Sequence, residues 1–336
     1  MPVLLELILK SVVLVFVLLT GFAYMSLVER RLLARLQARV GPNRAGPAGL
    51  LQPVADGLKL IMKESVTPKA VDIPIYFLAP VLVVVPALIL FAVIPVGKGP
   101  IFQLASDINV GVLYVMGVMG VAVYGIVLAG WSSNNKYASL GSLRASAQVI
   151  SYELGMGLSV VSVVLMAGTM SLAGIVEAQY PAQFGGILGW FIFRQPVAAI
   201  IFGITILAET MRAPFDLVEA EQELTAGYMT EYSGMKFALF FMGEYVKMIA
   251  VSALFTTFFL GGWSGPFVEQ APILSVVYFS LKVAFCLLAM IVIRATLPRM
   301  RYDRLMGFGW KVLVPLALAN VIVTAVLILI GVPGYK

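Results

Sequence analysis

Charged residues divide this chain into long stretches that carry none. No acid or base occurs between Lys10 and Glu29, and comparable apolar runs lie between Asp72 and Lys98 and between Asp107 and Lys136. A helix needs about 20 apolar residues to cross the hydrocarbon of a bilayer. Backbone groups in lipid must bond within their own segment, so helices are the default way across. Five further spans run from after Arg144 to about Gly168, about Trp190 to Glu209, about Phe237 to Gly261, about Pro272 to Ile293 and about Val312 to Val332. Composition points the same way: of 336 residues, 61% are hydrophobic and 12% charged, whereas a soluble domain is nearer about half apolar and a quarter charged. The expected fold is an all-α integral membrane protein, one bundle of about eight transmembrane helices over 1–336.

The distribution of Lys and Arg sets the expected orientation. The loops after spans one, three, five and seven hold nearly all of them, leaving only Lys10, Lys98, Arg194 and Lys336 on the other side and Lys247 and Lys282 inside spans. The basic side is expected to face the cytoplasm of a bacterial inner membrane, with both termini outward. Topology thus accounts for the net charge of +6, and no nucleic-acid partner is expected. The first span is read as a true helix rather than a cleaved signal, because Glu29-Arg30-Arg31 flank its far end.

The chain has no histidine and a single cysteine, Cys286. A haem with two axial histidines, a four-thiolate iron–sulfur cluster and a His-based zinc site are therefore excluded within it. Cys286 lies in an apolar run and reads as a packing thiol.

Two loops on the basic side carry most of the information. The first, residues 30–72, contains Gly-Pro-Asn and Ala-Gly-Pro steps that break helix. Leu51, Val54, Leu58, Ile61 and Met62 then recur at helical spacing, opposite Gln52, Asp56, Lys59 and Lys63. The pattern is that of an amphipathic helix lying in the interface. The second loop, residues 211–236, is rich in acids (Asp216, Glu219, Glu221, Glu223, Glu231). If it is helical, Glu219 and Glu223 repel as i,i+4 neighbours.

Glu153, Glu209, Glu244, Lys247 and Lys282 fall within or at the ends of spans. A charge at the bilayer centre costs on the order of 2.5–3.5 kcal/mol, and such groups normally face the bundle interior, pair, and mark ion or proton routes. Glu244 and Lys247 stand three apart, the spacing of a structural pair. Glu153 has no basic neighbour in sequence and is the leading relay candidate. Lys282 snorkels, loses its proton or pairs with an acid on another helix.

Long motifs in order give a resemblance. GLLQPVADGLKL (Gly49–Leu60) and PFDLVEAEQELTAG (Pro214–Gly227), with ERRLLARLQARVGPNRAGP, WSSNNKY, LRASAQVISYELG, EYSGMKF, FLGGW and IRATLPRMRYD, resemble the quinone-site membrane subunit of bacterial respiratory complex I. The likeness covers nearly the whole chain, weakest over 177–193 and at the ends. It implies the proximal membrane-arm subunit of a proton-pumping NADH–quinone oxidoreductase, with quinone as substrate and lipid around it. The implied partners are the peripheral arm, which holds the terminal iron–sulfur cluster, and neighbouring small membrane subunits. By position it places Glu29, Arg30, Asp56 and Lys59 at a quinone entrance. It places Phe215, Asp216, Glu219, Glu221 and Glu223 in a loop bordering the chamber, and Glu153, Glu209 and Glu244 on a proton route. Some relatives carry another Glu in the third helix, where this chain has Gly120, so a relay would have to bridge that position with water or another group.

On this reading quinone reduction perturbs the acidic loop and then the embedded carboxyls. Coupling between charges about 8 Å apart is roughly 2 kcal/mol at an effective dielectric near 20, enough for one step and too little for a whole membrane arm. Two rivals stay open: the homologous subunit of a membrane-bound hydrogenase-type complex, and a secondary transporter or ion channel whose embedded acids bind substrate.

Overall fold

The computed structural model describes residues 2–99, 104–105, 108–180, 189–216 and 227–332. Every regular element among them is helical. The first helix, α1 (Pro2–Leu36), outruns the bilayer and carries Glu29, Arg30, Arg31 and Arg35 on its last turns. The GPNRAGPAG turn follows. Gly49 there has φ 73°, and a Cβ on it would stand 2.4 Å from the Pro42 carbonyl oxygen, so only glycine fits.

Helix α2 (Gln52–Met62) turns its apolar side chains outward: Leu51, Val54, Leu58, Ile61 and Met62 are all exposed. Its polar face turns toward α1, where Arg30 Nη1 donates to Asp56 Oδ2 at 2.7 Å and Gln52 Nε2 to Asp56 Oδ1 at 3.1 Å. That is the arrangement of a helix lying in the membrane interface, apolar side to lipid.

The bundle continues with α3 (Ile73–Ile89), α4 (Gly111–Ser132) and α5 (Lys136–Ala167). Asn135 caps α5 by accepting from Tyr137 N at 2.9 Å, and left-handed Gly168 ends it, as glycine commonly does after a helix. The short α6 (Leu172–Ala178) starts on Ser171, whose hydroxyl accepts from Gly174 N. Then come α7 (Phe191–Arg194), α8 (Pro196–Glu209), α9 (Met235–Phe259), α10 (Ile273–Thr296), α11 (Tyr302–Phe308) and α12 (Val314–Ile330).

Seven helices among the described residues are long and apolar enough to cross a membrane, and α8 adds a shorter apolar one. About eight spans are therefore present, with differences in detail. The fifth is not continuous from Trp190. Gln195, at φ −130° and ψ 58°, separates α7 from α8. Pro196 disfavours helical backbone at the residue before it and is well placed to start a helix. The fourth begins at Lys136 rather than after Arg144. The eighth joins α11 through a π-helical turn at Gly309–Leu313.

Helix α5 lies at the centre, packed against α4, α8 and α12, while α9 packs on α1, α3 and α10. Tyr152, Met156, Phe202, Val251 and Phe258 meet in the core. A buried amide in it bonds backbone carbonyls, as burial favours. Gln148 Nε2 donates to the Ala208 and Phe215 carbonyls, both at 2.9 Å, and so pins the start of the acidic loop to α5.

Lys282 neither snorkels nor pairs with an acid. Its Nζ donates to the carbonyls of Leu260, Gly262 and Ser264 at 2.7, 2.9 and 2.8 Å and lies over the Trp190 ring. It closes the end of α9, where unbonded carbonyls gather and a cation is favoured.

Candidate functional site

A cavity of about 540 Å³ lies between α1, α2 and α9. Phe22, Leu33, Phe237, Phe241 and Met242 give it apolar walls, and Glu29, Arg30, Asp56, Lys59, Arg212, Tyr245 and Arg294 give it polar ones. Exposure grades along it. Lys59 and Arg30 are 67% and 50% exposed at the rim, joined through Asp56, while Glu29 and Arg212 are 3% and 5% exposed at the inner end.

Helical periodicity explains the placement on α9. Phe237, Phe241 and Tyr245 stand four apart on one face, and residues so spaced lie above one another. Glu244, next to Tyr245, reaches the inner end from the side. There Arg212 Nη1 bonds Glu29 Oε1 at 2.7 Å, Arg212 Nε meets Glu244 Oε1 at 2.8 Å, and Arg294 also pairs with Glu29 Oε1. The guanidinium of Arg212 lies 4.7 Å from the Tyr245 ring centre. Burial works to lower the Arg212 pKa, but Glu244 and Glu29 outweigh it and hold the group above its ordinary value. Glu29 Oε2 is buried with no hydrogen-bond partner among the described residues.

The row continues inward. A second cavity, about 30 Å³, is bounded by Glu209, Glu244, Lys247, Thr210, Tyr228 and Gly243, and holds room for a water or two. Lys247 Nζ binds Glu209 Oε1 at 2.6 Å. Glu244 and Lys247, whose spacing allowed a mutual pair, thus each take a partner from the Glu209–Arg212 stretch instead. The physical reason is that the last residue of α8, Glu209, and the turn after it, with Arg212, lie against α9 and offer an acid and a base at short range. Glu153 lies next along, within electrostatic reach of Glu209 and Lys247. Its carboxylate faces Gly120, where a Cβ would stand 3.4 Å from Oε1.

The described residues thus bring Glu29, Arg30, Asp56 and Lys59 to one cavity and Glu209 and Glu244 to the small cavity beyond it, with half-buried Glu153 within electrostatic reach of Glu209. Phe215 is buried against Tyr152, ring centres 5.4 Å apart, and half-buried Asp216 follows it. Glu219, Glu221 and Glu223 lie outside the described residues. The sequence reading missed the roles of Arg212, Arg294 and Tyr245. Arg212 had a visible signal, a base three residues past an embedded acid at a membrane mouth. Arg294 had none, because its partner lies at the other end of the chain.

The family described as NADH dehydrogenase matches residues 9–325. The H subunit of the NADH-quinone oxidoreductase of Protochlamydia amoebophila is 53% identical over 312 residues, 91% of this chain and 92% of the relative. The H subunit numbered 2 in Geobacter sulfurreducens is 51% identical over 322 residues, 94% of each chain. The H subunit of Thermomicrobium roseum is 50% identical over 329 residues, 95% of each. Matches of this extent and identity, on an all-helical membrane bundle, make this chain a member of the NADH dehydrogenase family to which the H subunits of the NADH-quinone oxidoreductases belong.

Proposed function

We propose that this chain forms part of the quinone chamber of a proton-pumping NADH–quinone oxidoreductase and couples quinone reduction to proton movement. The carrying observation is the 540 Å³ cavity, apolar along its walls and ending on a buried row of paired charges. An apolar ring with two carbonyls suits such a space: the walls take the ring and its tail, and a few convergent polar groups orient the headgroup. Arg212 and Tyr245 offer donors there, and the second oxygen of Glu29 offers an acceptor. The relatives' names favour this reading over the hydrogenase-type alternative.

Reduction of the quinone changes charge at the inner end of the cavity. Glu29, Arg212 and Glu244 feel it first, and Glu209, Lys247 and Glu153 stand next in line. Each step is short and lies in a water-poor interior, where Coulomb coupling is stronger than in bulk water. The electrons come from a peripheral arm in partner chains, docked on the basic, cytoplasmic face of a bacterial inner membrane.

The test fills the cavity. Ala238→Trp, on the cavity wall, is expected to raise KM for quinone and weaken a quinone-site inhibitor, while NADH oxidation by an artificial acceptor reports assembly. Unchanged quinone kinetics and inhibitor titre in an assembled complex would remove the cavity from quinone chemistry.

A further inference from the structure

The embedded row does not balance in charge. Arg294, Arg212 and Lys247 supply the cations; Glu29, Glu244, Glu209 and Glu153 supply the carboxylates. Among the described residues of the row, three cations face four acids. An uncompensated charge in a low-dielectric interior is expensive, and the usual escape is to bind or lose a proton. The row is therefore neutral with one proton aboard.

The pairings narrow where that proton sits. Glu29 and Glu244 are held by guanidiniums, which do not give up their charge. Glu209 holds the Lys247 ammonium, and Glu153 lies within electrostatic reach of both. Glu209 is 1% exposed, its Oε1 is taken by Lys247, and its Oε2 has no hydrogen-bond partner among the described residues. Glu153 approaches the same two groups from α5, its carboxylate in the space left by Gly120. Lys247, 9% exposed, also lines the small cavity between Glu209 and Glu244.

We infer that Lys247 is a positioning residue for the proton step, its ammonium deciding which of Glu209 and Glu153 carries the one shared proton. With Lys247 on Glu209, the proton resides on Glu153. When charge at the quinone end draws the proton to Glu209, the ammonium turns to the Glu153 carboxylate. One proton changes carboxyl, no other bond forms or breaks, and the row stays neutral throughout. The compact ammonium on a flexible stem suits such a change of partner better than a planar guanidinium fork. This inference rests on the proposed function for its purpose, though not for its pairing.

The experiment uses the assembled complex carrying Lys247→Met or Lys247→Arg. Two quantities are read: proton uptake per NADH in liposomes, and the infrared band of protonated carboxyls in the detergent-solubilised complex. The expected results for Lys247→Met are loss of proton uptake and a carboxyl band grown by one group, which disappears again when Glu209→Gln is added. Lys247→Arg is expected to restore the wild-type band and part of the uptake. A Lys247→Met complex with an unchanged band and normal uptake overturns the inference, as does a Lys247→Arg band resembling that of Lys247→Met. The infrared arm is independent of quinone. A wild-type complex that reduces no quinone would sink the functional reading while leaving the pairing to be judged on the band.

Discussion

Glu209 and Lys247 show what pairing means at the scale of single residues. Each is nearly fully buried, and each is the other's ion-pair partner at 2.6 Å. Removing one partner of a buried pair typically costs about 3–5 kcal/mol, whereas replacing both by uncharged groups is often close to neutral. Lys247→Met, which strands the buried Glu209 carboxyl, should therefore lower the melting temperature of the complex more than Lys247→Met combined with Glu209→Gln. A double variant that melts no higher than the single would show that the pair does not act as a unit. Arg212→Met should be harsher, since it strands Glu244 and leaves Glu29 with Arg294 alone, and Arg212→Lys should recover little because one ammonium cannot reproduce a two-sided guanidinium contact. Assembled yield and quinone KM would register both. At this scale the sequence disclosed which carboxylates were embedded, because an acid in an apolar run is conspicuous. It did not disclose their partners. Glu29 meets Arg294 across almost the whole chain, and no spacing rule encodes such a contact.

At the scale of helices, close approach governs. A Cβ on Gly125 of α4 would stand 2.6 Å from Val83 Cγ2 and 3.0 Å from the Ala79 carbonyl oxygen of α3, whereas one on Gly117 meets nothing within 4 Å. Gly125→Ala should cost about 1–3 kcal/mol through overpacking. Gly117→Ala, on the same helix, should be neutral or stabilising by up to about 1 kcal/mol through helix propensity. Thermal melting of the two variants side by side checks this; equal melting temperatures would mean that α3 and α4 do not pack so tightly. The spans themselves were legible because lipid demands length and apolarity. Their joints were not. The break at Gln195 is local backbone geometry before Pro196, and the π turn joining α11 to α12 has no hydropathy signature. The amphipathic helix of the first loop was legible because its period of apolar side chains is intact from Leu51 to Met62.

The whole molecule separates a charged end from an apolar body. The basic loops lie at the end of the bundle that bears Glu29 and the large cavity, and the Lys282 turn closes the opposite end. Side-specific labelling tests the orientation cleanly, because the only cysteine, Cys286, is buried. Arg39→Cys should react with an impermeant thiol reagent only from the cytoplasmic side, and Gln270→Cys only from the outside. The reverse pattern would invert the topology. Fold class and family were thus readable from length, apolarity and motif order, whereas the wiring of the embedded charges needed three dimensions. That wiring is crossed: neighbours on one helix, Glu244 and Lys247, answer to different partners. It should leave a trace in descent. Among homologous chains, positions 209 and 247 should change as a couple, and positions 212 and 244 as another, while 244 and 247 drift independently despite sitting one turn apart. A lineage that loses Lys247 should first or soon after lose the acid at 209, because the intermediate genotype carries a stranded charge and selection removes it.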